Sequence, residues 1–222
     1  MRKKPILIFL ALLAVSAVQA QWRLGVSGGG DYNFYSIQKH YQTDYHYTGR
    51  WGATAAVFTQ YNFLNWVALR AELEMVQKNH LFYRTFPYEG TRYATNNTYL
   101  QLPVMTQFSF GGQKVRGFAN VGVYAGYWLD SHLKGTMTDP MNTDSVYPVD
   151  EKQDFLAARD QRWDFGLAGG IGIEYRFLEH WALHAEGRCY YSFITTSHQS
   201  SVIADNRYNT TFAIQLGCAY IF

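Results

Sequence analysis

What this 222-residue chain lacks narrows its class before any motif is read. Beyond residue 20 no apolar run approaches the roughly 20 residues that a membrane-spanning helix needs, so helical membrane insertion is excluded. The only cysteines are Cys189 and Cys218. One pair makes no disulfide framework, and both read as small apolar residues. Charged residues are scarce at 16%, and 19 basic against 17 acidic side chains give a nearly balanced chain without the basic bias of a nucleic-acid binder. No His/Cys/Asp cluster has zinc spacing, and neither a metal nor a cofactor is expected.

Aromatic residues, in contrast, reach 18%, and 19 glycines accompany them. The one long apolar stretch is N-terminal: Arg2, Lys3 and Lys4 precede 6–15, and Val18-Gln19-Ala20 ends it with small residues. That is the pattern of a secretory signal peptide cut between Ala20 and Gln21, leaving 21–222 as the mature domain. The leader takes three of the 19 basic residues and none of the 17 acidic ones, so the mature chain carries a formal charge of −1.

The rest of the chain alternates with period two, which is the strand signal. At the C-terminus Phe212, Ile214, Leu216, Cys218, Tyr220 and Phe222 share one face. Over 67–77, Val67, Leu69, Ala71, Leu73 and Met75 alternate with Arg70, Glu72 and Glu74. Over 163–176, apolar residues alternate with Asp164, Gly166, Ala168, Gly170, Gly172 and Glu174, a face that is mostly glycine. The pattern predicts eight strands at 22–34, 50–61, 67–77, 99–110, 115–128, 162–176, 182–193 and 210–222. Connectors 62–66, 111–114 and 177–181 are short; 35–49, 78–98, 129–161 and 194–209 are long.

Short turns at one end, long loops at the other and strands near 9–11 residues describe an all-β, eight-stranded antiparallel up-and-down barrel of OmpA/OmpX-like size in the outer membrane. A soluble barrel with its apolar face inward alternates in the same way. Uncharged apolar faces, aromatics such as Trp22, Trp51, Trp163, Tyr175 and Tyr220 near strand ends, and the terminal Phe222 turn the apolar face to lipid instead. Leu216, Tyr220 and Phe222 resemble the C-terminal signal read by the barrel-assembly machinery. Pro103, inside a strand, removes a ladder donor and predicts a bulge.

Eight strands leave a lumen only wide enough for side chains. Closing 50–61 on 67–77 sets Arg70, Glu72 and Glu74 opposite Phe58, Ala56 and Thr54. Closing 162–176 on 182–193 sets His184 near Glu174, Glu186 near Gly172 and Arg188 near Gly170. With Arg23 and Arg116 also inward, the expected interior is a mutually neutralising network that fills the lumen, with His184 as an ion-pair partner.

Four segments, 98–110 (TYLQLPVMTQFSF), 118–129 (FANVGVYAGYWL), 163–177 (WDFGLAGGIGIEYRF) and 181–193 (WALHAEGRCYYSF), resemble successive strands of the PorT-like outer-membrane β-barrel family. The most specific piece is Tyr99-Leu100-Gln101-Leu102-Pro103, similar to that family's Tyr-Leu-acid-Ile-Pro strand with Gln101 in place of the acid. The resemblance covers 21–222 and implies a small Gram-negative outer-membrane barrel, often called a porin. The family's namesake is associated with type IX secretion, a role that fold similarity does not transfer.

The function expected is therefore non-enzymatic, exercised through long extracellular loops or as a component of an envelope or secretion complex. The alternatives are a type IX secretion accessory barrel, a small-solute porin, or an enzyme. The expected partners are outer-membrane lipid and lipopolysaccharide, the assembly machinery and an extracellular or secretion-complex ligand. Tyr35, Tyr41, Tyr45 and Tyr47 in the first loop, with Phe82, Tyr83, Phe86, Tyr88 and Tyr93 in the second, either stack on glycans or proteins or extend the wall. Asp139, Asp144, Asp150, Glu151, Asp154 and Asp160 in the third match no calcium loop. His198-Gln199-Ser200 resembles the His-x-Ser of outer-membrane lipid A deacylases, but the last strand has no Glu to orient it and only Asp205 stands near.

Overall fold

The computed structural model describes residues 21–38, 44–156, 160–196 and 206–222. The expected leader up to Ala20, Tyr41, the His198-Gln199-Ser200 triplet and Asp205 lie outside these, and the side chain of Gln21 is likewise not described. Ten strand segments are formed: β1 (Gln21–Gln38), β2 (Tyr45–Asn62), β3 (Val67–Gln77), β4 (His80–Arg84), β5 (Arg92–Gly111), β6 (Val115–Thr138), β7 (Val146–Lys152), β8 (Trp163–Leu178), β9 (Trp181–Ser192) and β10 (Asn206–Ile221). They make eight staves, because β3 and β4 follow one another between β2 and β5, and β7 and β8 follow one another along β6. Every pairing is antiparallel, and β1 pairs with both β2 and β10, which closes the barrel.

The strands outrun their predicted ends at the loop side. β5 and β6 stay paired up to Arg92↔Thr136, and β4 and β7 lie within stretches expected to be loop. Two features explain this. Polar side chains are no obstacle to a strand above the bilayer, and an antiparallel hairpin satisfies backbone groups that an irregular loop leaves to water. The β2–β3 register also differs from expectation, with Gln60, Phe58 and Ala56 opposite Arg70, Glu72 and Glu74. The two-residue slip comes from the turn, where the Phe63 and Leu64 N–H groups both donate to the Val67 carbonyl and β2 runs on to Asn62. The β8–β9 register matches the expected pairs Glu174↔His184, Gly172↔Glu186 and Gly170↔Arg188.

No bulge forms at Pro103. It faces inward opposite Tyr124 in an unbroken β5–β6 register, and the irregularity in that ladder lies at Thr98/Tyr99. On the β3 side the register across Pro103 is also kept, from Ala71↔Val104 to Glu74↔Gln101. One missing donor is therefore absorbed by local loss of pairing instead of an inserted residue.

The outer wall is apolar and exposed, from Leu24 and Val26 through Leu73, Val121 and Ile171 to Leu216. Aromatic pairs bound it at both ends. Trp22–Tyr61 (4.9 Å) and Trp181–Tyr220 (5.2 Å) stand at the turn end; Tyr32–Trp51 (5.2 Å) and Tyr127–Trp163 (5.0 Å) stand toward the loop end. Ten tilted residues separate Trp22 from Tyr32, which sets the band at about 25 Å, the height of an outer-membrane barrel's apolar belt. The free cysteines sit on this outward face, half-buried. Ile171, 72% exposed, lies midway along β8. Ile171→Arg is expected to lower stability by about 2–4 kcal/mol in urea titrations of protein folded into vesicles. A loss under about 1 kcal/mol would place this position near an interface instead of the midplane.

Candidate functional site

Period-two alternation aims one side chain in two at the axis, and the lumen is filled layer upon layer. Nearest the turn end, Arg23 Nη1 donates to Glu174 Oε2 at 2.6 Å and Arg176 Nε to Glu174 Oε1 at 3.3 Å. Above them His184 packs edge-on between Phe58 (5.4 Å) and Phe118 (6.4 Å). It forms no ion pair, which corrects its expected role. Glu174 is already occupied by the two arginines, and two aromatic rings hold the imidazole.

The middle layer is the densest. Arg188 grips Glu72 with both Nη atoms (2.6 and 2.8 Å), Glu186 through Nε and Nη2 (2.6 and 2.8 Å), and the Tyr190 hydroxyl (2.9 Å). Arg70 lies 3.9 Å over the Phe58 ring with Nε 2.6 Å from Glu72 Oε1, an ion-pair contact without hydrogen-bond alignment. Asn120 donates to Glu186 at 2.9 Å. Gly170 leaves the space this needs, since a Cβ there would stand 2.7 Å from Glu186 Oε1. Glu74 accepts from Thr54, Gln101, Tyr190 and Gln215 at 2.5–2.8 Å, so neutral donors alone solvate it.

Three inward charges beyond the expected network close the lumen higher up. Lys78, just after β3, donates to Asp164 Oδ2 at 2.6 Å beneath the rings of Tyr99 (5.1 Å) and Tyr124 (4.7 Å). Ser192 and Tyr124 donate to the other Asp164 oxygen at 2.5 and 3.3 Å. Asp31 is fully buried beside Gly52, with no hydrogen-bond partner on either carboxyl oxygen. All three continue the inward parity of their strands, which is the signal that finds them. Arg116, in contrast, does not join a carboxylate; it faces Glu174 across the ladder but donates to the Asn65 carbonyl.

Above this floor, past the upper aromatic pairs, a cup of about 350 Å³ opens among Tyr35, Tyr47, His80, Phe82, Tyr93 and Trp128, with Thr95, Gln153, Asp160, Thr196 and Arg207 supplying polar groups. Tyr35 stacks on His80 at 4.2 Å, and its hydroxyl lies 2.9 Å from the Thr196 hydroxyl. Burial, then the Arg207 and Arg50 guanidiniums, push the His80 pKa down to about 3, so its ring stays neutral. The cup thus gathers Tyr35, Tyr45, Tyr47, Phe82 and Tyr93 from the predicted aromatic loops, while Phe86 is fully outside it. In the third loop, hydrogen bonds from Lys134 and His132 hold the exposed Asp150 carboxyl below its usual range. Among the described residues no acidic or His/Cys cluster is arranged for a metal.

The C-terminal residues Leu216, Tyr220 and Phe222 lie along one outward face, with the Tyr220 and Phe222 rings 5.0 Å apart. The Phe222 N–H donates to the Trp22 carbonyl at 3.0 Å, across the seam where the last strand meets the first.

A family described as outer membrane protein beta-barrel domain matches residues 17–198. No curated protein matches. Among solved structures, the outer membrane protein OprG from Pseudomonas aeruginosa is 15% identical with a TM-score of 0.54, covering 90% of this chain and 95% of that one. A major outer membrane protein from Thermus thermophilus is 14% identical with a TM-score of 0.53, covering 91% and 99%. At such identities the likeness is one of fold.

Proposed function

Since the chain belongs to the outer membrane protein beta-barrel domain family and is an outer-membrane β-barrel, we propose that it is a closed, non-enzymatic barrel that binds an extracellular glycan in the cup at its loop end. The observation that carries this is the cup itself, an enclosure rich in aromatic rings with a few polar groups, set on a sealed floor of Lys78, Asp164, Tyr99 and Tyr124. Flat aromatic faces stack on the C–H faces of sugar rings, and Asp160, Gln153 and Arg207 reach hydroxyls. Glu72 and Glu74, the carboxylates two apart on the inward face of β3, are committed to Arg188, Arg70 and four neutral donors, which argues against either acting as a general acid or base. The assembly machinery is the proposed reader of the Leu216, Tyr220 and Phe222 face. The PorT-like resemblance favours a second role in an envelope complex, tested by whether secretion subunits stay stoichiometric with the tagged barrel in mild detergent.

The test has two parts. In planar bilayers the protein is expected to give no conductance steps of open-pore size, and steady ohmic steps would refute closure. On an array of surface polysaccharides it is expected to bind a defined subset, with Tyr47→Ala or Tyr93→Ala weakening binding by about five- to ten-fold, the scale of one lost aromatic stack. Binding by neither wild type nor variants, or equal binding by all, would refute the cup as the site.

A further inference from the structure

The opposite mouth carries the charge that the lumen lacks. A pocket of about 400 Å³ at the turn end is lined by Arg23, Arg116 and Arg176, with Asn62, Asn65 and Gln113 around them. One carboxylate, Glu174, serves two of these three guanidiniums, accepting from Arg23 on one oxygen and Arg176 on the other. Arg116 turns instead to the Asn65 carbonyl. The cluster therefore keeps an excess of two positive charges.

Its donors are also underused. Arg23 is only 4% exposed, yet its Nε has no partner, and the Arg116 Nε is buried without one as well. A buried charged donor left unpaired is costly unless something enters to accept from it. Higher in the lumen the balance reverses, since Glu74 has only neutral donors and Asp31 has none. The positive excess is therefore confined to the mouth, where the pocket opens to the side of the short turns.

We propose that this periplasmic mouth is a binding site for a phosphate group, held by Arg23, Arg116 and Arg176. Guanidinium forks match the spacing of phosphate oxygens, two surplus charges suit a phosphate dianion or diester, and the Asn and Gln amides supply neutral donors. The volume admits a headgroup or a small soluble phosphate compound. The turn residues Leu64, Asn65, Gly112 and Gln113 form its rim, so a soluble phosphate would enter from the open end and an inner-leaflet headgroup would have to reach in over the turns.

Protein folded in a phosphate-free non-ionic detergent is titrated with inorganic phosphate by calorimetry, and the lipid it retains from phosphatidylglycerol-containing vesicles is counted by native mass spectrometry. Saturable phosphate binding that Arg116→Gln/Arg176→Gln weakens by about ten-fold or more supports a site open to soluble phosphate. Retention of phosphatidylglycerol that the same variant abolishes, without phosphate binding, supports a headgroup site. Equal behaviour of wild type and variant in both arms overturns the proposal. Heat-modified gel migration reports folding. If the Gln pair does not fold, Arg116→Lys/Arg176→Lys keeps the charge and removes the forks, and about three-fold weakening or more supports the proposal while unchanged binding overturns it.

Discussion

Arg188→Met is expected to cost the barrel about 3–5 kcal/mol, read as a shift of urea unfolding in lipid vesicles by tryptophan fluorescence. The side chain is wholly buried and makes five hydrogen bonds: two to Glu72, two to Glu186 and one to Tyr190. Methionine keeps most of the stem's packing and none of the charge. Glu72 is then left with the Arg70 contact and Glu186 with Asn120 and an Arg70 Nη1 at 3.5 Å, two carboxylates sharing one cation in a closed interior. Breaking such a group on one side is the costly operation, because what remains is an uncompensated charge and not merely a lost bond. Glu72→Gln/Arg188→Met removes the two-pronged pair together and is expected to lie above the sum of the single losses by about 1 kcal/mol or more. Additive losses, or a single-variant cost under about 1 kcal/mol, would mean that water reaches Glu72 and that the lumen is wetter than its packing implies.

How far this interior is legible in the sequence depends on which rule governs each part. Parity along a strand is set by the pleat, so Arg70, Glu72 and Glu74 face inward wherever the strand is placed. The same rule carries Lys78, Asp31 and Asp164, yet the pattern does not single them out, because Lys78 falls past the last clear alternation and the other two stand alone among glycines and aromatics. Register is a different matter. The β8–β9 pairs follow from the five residues between Arg176 and Ala182, which the structure divides into a turn closed by Leu178↔Trp181 and a one-residue register shift, whereas at β2–β3 two N–H groups converge on the Val67 carbonyl and slip the ladder by two residues, a choice that apolar alternation cannot distinguish because it has the same period. Strand ends are the least legible. The alternation that marks a bilayer-facing strand stops at the upper aromatic ring, but backbone pairing continues through β4, β7 and the tops of β5 and β6, where both faces are polar or aromatic. The cup depends on those extensions, which is why its aromatics can be foreseen by type and not as one enclosure.

Lys78→Met is expected to cost about 3 kcal/mol or more, and Lys78→Met/Asp164→Asn to regain most of it. Lys78 stands at the break between β3 and β4, where one stave passes from the bilayer-height wall to the cup, and its Nζ is held 2.6 Å from Asp164 Oδ2 with the Tyr99 and Tyr124 rings around it. Without the ammonium, Asp164 keeps Ser192 and Tyr124 as donors but has no cation, in a layer that already contains the unpartnered carboxyl of Asp31. Asparagine at 164 accepts from the same two hydroxyls without a charge, so the double variant removes the electrostatic fault while keeping the floor's shape. Recovery by the double variant would locate the cost in the stranded carboxylate. Equal losses in the single and double variants would instead assign it to the lysine stem and its contacts with the two rings. Because this pair separates the cup from the charged layers below, the same two proteins also test the cup. Glycan affinity that falls with Lys78→Met and returns with the double variant would show that the floor supports the site through its neutrality and packing and not through the lysine's charge.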